Sequence, residues 1–234
     1  MKTSLFLTTL FAAALIASPS FAQSPATTPA APGSKVVNTG QVAVPAQPAT
    51  GQPSAADMEK MMQQMMELSK LNENHKLLAD LDGTWSYTVK MWMTPDPNAK
   101  PQESKGIAVR KSMMDGRFFV MDVNGKMQMP GPDGKPKDME FKGMGIEGYD
   151  NVKKKFVGSW VDNMGTGIMM SEGTYDPATK TFTYTGEYEA IPGMKQKIRE
   201  VMKITDKDNM SFEWYEDHGG KEAKTMEINY TRKK

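Results

Sequence analysis

Three glycines in FKGMGIEGYDNVKKKFVGSW, residues 141–160, match the spacing G-x-G-x-x-G at Gly143, Gly145 and Gly148. In a dinucleotide site that spacing leaves a strand and opens a helix, whose N-terminus receives the pyrophosphate. Here the glycines run into Tyr149-Asp150-Asn151, a turn, and then into KKKFVGSWVD, where Phe156 and Trp160 are spaced as on a strand. With no helix to open, the match carries no nucleotide chemistry. Alternating glycines inside a sheet mark close backbone approach or strong bending.

Other catalytic patterns are missing. There is no G-x-S-x-G elbow and no H-E-x-x-H pair. Asp206 and Asp208 begin like a calcium loop, but Met210 and the missing glycine end that reading. His218 sits in EDHGGKE, a surface turn, and His75 sits near the end of a predicted helix, where a structural role is expected. A histidine triad or a histidine-ligated zinc is therefore not expected. Carboxylates remain: Glu147, Glu172, Glu187 and Asp162 could do general acid–base work if they face inward, which keeps a carboxylate-dependent hydrolase as one alternative. The equipment as a whole points away from an enzyme, and no cofactor is indicated.

Methionine is abundant, with 22 residues. Met58, Met61, Met62 and Met65 fall at three- and four-residue spacing in MEKMMQQMM. On a helix they share a face. Thioethers are soft ligands for Cu(I), so copper binding by these four is a second alternative. The plainer reading is a flexible apolar stripe.

The aromatic residues are the stronger lead. They require elements with a period of two. In TWSYTVKMWM, Trp85, Tyr87, Val89, Met91 and Met93 fall on one face. Phe182, Tyr184 and Tyr188 repeat the rhythm, as do Met210, Phe212 and Trp214, and Met226, Ile228 and Tyr230. Further strands fit residues 104–112, 117–125, 138–148, 154–162, 166–174 and 196–205, with turn signals at Asp115-Gly116, Pro130 to Pro136, Asp150-Asn151, Asp176-Pro177, Pro192-Gly193 and Gly219-Gly220. About ten short strands follow one another with no helical pattern between them, so they pair antiparallel. An up-and-down barrel suits one apolar face per strand and leaves no edge. Inward aromatics would then fill a core or line a pocket for an apolar ligand. Arg117, if its end reaches the mouth, could orient a carboxylate or phosphate headgroup.

Upstream, Ser54 and Asp57 have the form of a capping box, and a Met-rich helix is predicted over residues 54–82, with Asn72 to Asn74 as a break point. Residues 23–53 are rich in Pro, Ala, Thr, Gln and Gly and read as a disordered linker. Residues 1–22 have the layout of a cleavable signal peptide: Lys2, an apolar Leu5 to Ala17, and Ser20-Phe21-Ala22 before the cut. The mature chain would be periplasmic or secreted. Without Lys2 the 29 basic residues become 28, against 28 acidic, so no basic field for nucleic acid exists. No later segment is apolar and long enough to span a membrane. There is no cysteine, so a core must hold the exported chain together.

Leu81-Asp82-Gly83-Thr84-Trp85 after a short helix resembles the opening of calycin-type barrels, the lipocalins and their relatives. GRFFVM at Gly116, FKGMGIEGYDN at Phe141, SWVDNMGTGI at Ser159 and EGTYD at Glu172 resemble the bacterial domain-of-unknown-function family numbered 1579, over about His75 to Tyr230. The resemblance implies a small β-barrel-like domain of unassigned role and transfers no catalytic residue. Positions matching its motifs are Trp85, Arg117, Phe118, Tyr149, Asp150, Asn151, Trp160, Asp162 and Thr166. The sequence thus predicts an all-β, calycin-like antiparallel barrel over residues 83–234, behind the helix. As its function it predicts a binding module for a small apolar or amphipathic ligand. The candidate contacts are Trp85, Tyr87, Arg117, Tyr149, Trp160, Asp162, Tyr184, Tyr188 and Trp214.

Overall fold

The computed structural model describes residues 53–94, 99–131 and 135–234. The signal-peptide reading and nearly all of the linker reading fall outside these residues. Helix α1 spans Ala55–Leu68. Its start is the expected box: the Asp57 N–H donates to the Ser54 hydroxyl at 3.2 Å, and the Ser54 N–H donates to the Asp57 carboxylate at 3.2 Å. Helix α1 buries none of its residues.

The apolar stripe continues into a separate helix, α2, Glu73–Ala79. Asn72 makes the break, because its carboxamide accepts from the Asn74 N–H at 3.0 Å and so competes with helix continuation. His75 completes this second box, its Nδ1 accepting from the Asn72 N–H at 3.2 Å. The expected position of His75 at a helix C-terminus is therefore corrected: it stands in the first turn of α2. Its role is still structural. The ring is buried and meets the Tyr149 ring edge-on, with centroids 5.9 Å apart. Desolvation and the nearby Arg117 charge hold its pKa below the usual imidazole value. Leu78 and Leu81 are buried and join the barrel core.

From Gly83 the period of two is realised in ten strands: β1 (Gly83–Met91), β2 (Gln102–Met113), β3 (Phe118–Pro130), β4 (Pro136–Asp150), β5 (Lys155–Asp162), β6 (Met169–Asp176), β7 (Thr181–Ile191), β8 (Met194–Ile204), β9 (Asn209–Asp217) and β10 (Glu222–Arg232). Each pairs antiparallel with its sequence neighbours, and β1 pairs with β10 from Trp85↔Arg232 to Met91↔Met226, closing the barrel. Strands β3 and β4 run longer than expected, to Pro130 and from Pro136. Strand β6 starts at Met169, which leaves Thr166 in the preceding loop. Helix α2 packs at the end where β1 begins, against β3, β4 and the 3-10 turn at Met114–Gly116.

The glycines of the opening motif now have a cause. The stretch after them is β5, a strand. Gly143 and Gly145 face Asp162 and Trp160 across the β4–β5 ladder. The Trp160 indole lies flat over both: a Cβ at Gly143 would sit 2.7 Å from Trp160 Cη2, and one at Gly145 3.2 Å from Cε3. Hydrogen at these Cα positions is what lets a large ring lie along the inner wall.

Candidate functional site

Inward positions follow directly from the pairing registers, and their exposure changes along the barrel axis. Near α2 the inward side chains Trp85, Phe119, Phe156, Phe182 and Met210 are all at most 3% exposed. Arg232 lies over the Trp85 ring at 4.2 Å, and the Trp85 indole N–H donates to the Leu81 carbonyl at 3.1 Å. That half is a filled core. At the far end Met91, Phe141, Trp160, Tyr188, Trp214 and Met226 also point inward, yet each is only half-buried. Tyr230 lies between the two. Burial pushes its hydroxyl pKa up, yet its side chain keeps accessible surface. The inward side chains of the far half therefore keep accessible surface, above a packed base.

The layer between the two halves is polar. Arg110 is 1% exposed. Its guanidinium donates to the Leu78 carbonyl at 3.1 Å, to Asp82 at 3.3 Å and to Glu147 at 2.7 Å, and it rests over the Phe119 ring at 4.8 Å. This network ties the last turn of α2 to β2 and β4. Beside it, Tyr184 on β7 stands directly opposite Glu200 on β8. The Tyr184 hydroxyl and Glu200 Oε1 are buried and have no hydrogen-bond partner among the described residues. Desolvation raises the Glu200 pKa to about 7 against a hydrogen bond from Ser171, with Glu147 adding repulsion. The Tyr184 hydroxyl is pushed well above its usual range, first by burial and then by the Glu147 charge.

Half-buried aromatic pairs line the walls. The Trp160 indole N–H donates to Asp162 at 2.8 Å, and Phe141 stacks on that indole with centroids 6.5 Å apart. Trp214 donates to Glu216 at 3.1 Å, the Tyr188 hydroxyl donates to the same carboxylate at 3.4 Å, and the two rings lie 6.2 Å apart. Burial and Glu216 push the Tyr188 pKa to about 12.

The structure brings Tyr87, Trp160, Asp162, Tyr184, Tyr188 and Trp214 onto the inner wall. Trp85 and Tyr149 are inward too, but in the packed base, where Tyr149 packs against Phe156 and His75. Arg117 stands apart. It is exposed, outside the barrel at the α2 end, its guanidinium near the Met114 carbonyl, so it does not reach the mouth. Of the four candidate carboxylates, Glu147 and Asp162 face in. Glu172 faces out to Lys153 and Lys155, and Glu187 out to Lys195. Met58, Met61, Met62 and Met65 are each more than half exposed on α1. Among the described residues no group of three His, Asp or Glu side chains is placed to hold a metal.

Sequence reasoning missed Arg110, Ser171 and Glu200. A signal existed for two of them. Arg110 keeps the parity of Gly106 and Ala108, and Glu200 that of Ile198 and Met202, so each is a charge on an apolar face. Two surface depressions also occur, about 420 Å³ outside β7 and β8 and about 610 Å³ beside α2 near Tyr175. The first runs along the outward residues Thr185, Glu187 and Arg199, the second lies between α2 and the inward Tyr149 and Phe156 at the barrel end, and neither is lined by Tyr184 or Glu200.

A family model described as a protein of unknown function (DUF1579) matches residues 70–232. No functionally curated protein matches the chain. Among solved structures, that of Rv2717c from M. tuberculosis is 16% identical, with a TM-score of 0.48, over 70% of this chain and all of that one. A protein of unknown function from the DUF3598 family of Nostoc punctiforme is 6% identical, with a TM-score of 0.23, over the same shares. Neither carries an argument about the site. No helix among the described residues is long and apolar enough to cross a membrane.

Proposed function

The chain belongs to the DUF1579 family of proteins of unknown function, and from that premise we propose that it is an exported, non-enzymatic binding module for a small amphipathic ligand held inside the barrel. The observation that carries the reading is the pairing of a half-buried aromatic wall with two buried polar atoms, the Tyr184 hydroxyl and Glu200 Oε1, that no residue of the wall satisfies. Buried polar atoms are nearly always partnered, and an apolar cup with a few convergent polar groups is the usual form of a ligand site. Catalytic use of Glu147 and Asp162 is disfavoured by their engagement: Glu147 holds Arg110, and Asp162 holds the Trp160 indole. Export rests on the leader-like residues 1–22.

Titration with the neutral fluorophore N-phenyl-1-naphthylamine tests the reading. Saturable one-to-one binding is expected, with quenching of indole emission, and it should weaken at least fivefold in Trp160→Leu and in Trp214→Leu. Absence of saturable binding up to the solubility limit of the probe would remove the proposal. Export is checked by the N-terminal residue of protein recovered from its own cell envelope fraction, expected to be Gln23.

A further inference from the structure

The charges inside the barrel are unbalanced in a way that selects a ligand. Between the packed base and the rim, the inward positions of the described residues carry Glu147, Glu200, Asp162 and Glu216, the last 3.6 Å from His218, against one permanent cation, Arg110. Arg232 is drawn onto Trp85 and the carbonyls of Asp80, Asp82 and Lys207 at the α2 end, and Lys137 lies exposed at the tip of β4. Arg110 has no capacity for an anion, since its guanidinium is fixed by Leu78, Asp82 and Glu147 under the Phe119 ring. The unpartnered floor atoms, a phenol oxygen and a carboxylate oxygen, both accept hydrogen bonds. Above them stand indole and phenol rings, whose negative faces attract cations.

We propose that the ligand is an organic cation with an apolar tail, its ammonium group donating to Glu200 Oε1 and the Tyr184 hydroxyl oxygen while the tail lies along Phe141, Trp160, Tyr188 and Trp214. This rests on the binding-module reading and narrows it. An ammonium offers three donors to two orphan acceptors and gives a buried carboxylate its counter-charge. A carboxylate or phosphate headgroup would meet Glu147 and Glu200 with no uncommitted cation beside them among the described residues. The groups facing Glu200 are Tyr184 from β7, Ser171 from β6, Trp214 from β9 and Glu147 across the barrel. None of them supplies a positive charge. Cation binding therefore depends on ionised Glu200.

Calorimetry with three ligands of one chain length separates the outcomes: decylamine, decanol and decanoate. At pH 8 the amine is expected to bind at least tenfold more tightly than the alcohol, and decanoate the least. In Glu200→Gln the amine should fall to the level of the alcohol, while decanol changes less than twofold, a split that a merely structural role would not produce. From pH 8 to pH 6 the ionised fraction of a group titrating near 7 falls about tenfold, and amine affinity should fall with it in the wild type but not in Glu200→Gln. Equal binding of amine and alcohol, or tighter binding of decanoate, overturns the cation inference and leaves the binding-module reading standing. Failure of all three to bind overturns both. Near-UV circular dichroism of Glu200→Gln should match the wild type, since glutamine has nearly the shape of the protonated side chain.

Discussion

Replacing Glu200 by glutamine should make the unliganded protein more stable, and only on the alkaline side. Glu200 titrates near 7 in the folded chain, against 4.5 for an unburied glutamate. Below about 4.5 both folded and unfolded states hold the proton, and the group contributes no pH dependence. Between 4.5 and 7 the folded state keeps a proton that the unfolded chain has released, so stability declines as pH rises and levels off above 7. At about 1.4 kcal/mol per pH unit the full decline is on the order of 3 kcal/mol, and the partial exposure of Glu200 keeps it to roughly 2–3 kcal/mol. Glutamine has no proton to lose. The difference between mutant and wild type should therefore be near zero at pH 4.5 and reach about 2–3 kcal/mol in favour of the mutant at pH 8. Urea unfolding followed by indole emission at pH 4.5, 6, 7 and 8 measures this, with equal slopes required for the comparison. A mutant that is less stable at pH 8, or a difference independent of pH, would refute the assignment of Glu200 to a desolvated, uncompensated position. A saturating amine should reverse the order, because it supplies the missing counter-charge only to the wild type.

Three other expectations follow from the same interior. Arg110→Met keeps most of the volume but strips the Leu78 carbonyl, Asp82 and Glu147 of their shared donor; it should cost about 3 kcal/mol in urea and speed amide exchange in α2, whereas a loss under 1 kcal/mol would mean the network is not structural. Gly143→Ala should cost about 1–3 kcal/mol by displacing the Trp160 ring; combining it with Trp160→Leu should recover most of that loss, and simple additivity would show that the glycine serves another purpose. Tyr184→Phe removes an orphan hydroxyl and should be neutral or stabilising by about 1 kcal/mol in thermal unfolding while weakening amine binding, so a clear destabilisation would reveal a hidden hydrogen-bond partner.

The barrel was legible because its residues repeat. Trp85, Tyr87 and Val89 on β1 and Phe182, Tyr184 and Tyr188 on β7 state the strand period openly, and turn signals such as Pro192-Gly193 delimit the hairpins. The G-x-W opening after a helix also placed the first strand correctly. The division of the Met-rich segment was harder, since Asn72 ends one stripe and caps the next helix without interrupting the apolar spacing. His75 was misplaced for that reason: its location near the end of one long helix became the first turn of a second. The reach of Arg117 toward the mouth was a question of which barrel end its turn occupies, and that is fixed by the position of α2, a tertiary fact with no local signature.

The polar floor was hidden by the period that revealed the fold. A charged residue on a strand is ordinarily assigned to the solvent face, and alternation is then read around it. Arg110 and Glu200 break that assignment, because their neighbours at even spacing, Ala108 and Ile198 with Met202, are buried. Each interruption is isolated in its own strand and looks like noise. Closure of the sheet brings β2, β4, β7 and β8 around one axis and turns separate irregularities into one cluster. The two interruptions then have different meanings. Arg110 is answered by three acceptors and stabilises the base of the barrel. The Tyr184 hydroxyl and Glu200 Oε1 find no partner among the described residues at the boundary between the packed and half-buried halves, where an unsatisfied group costs stability.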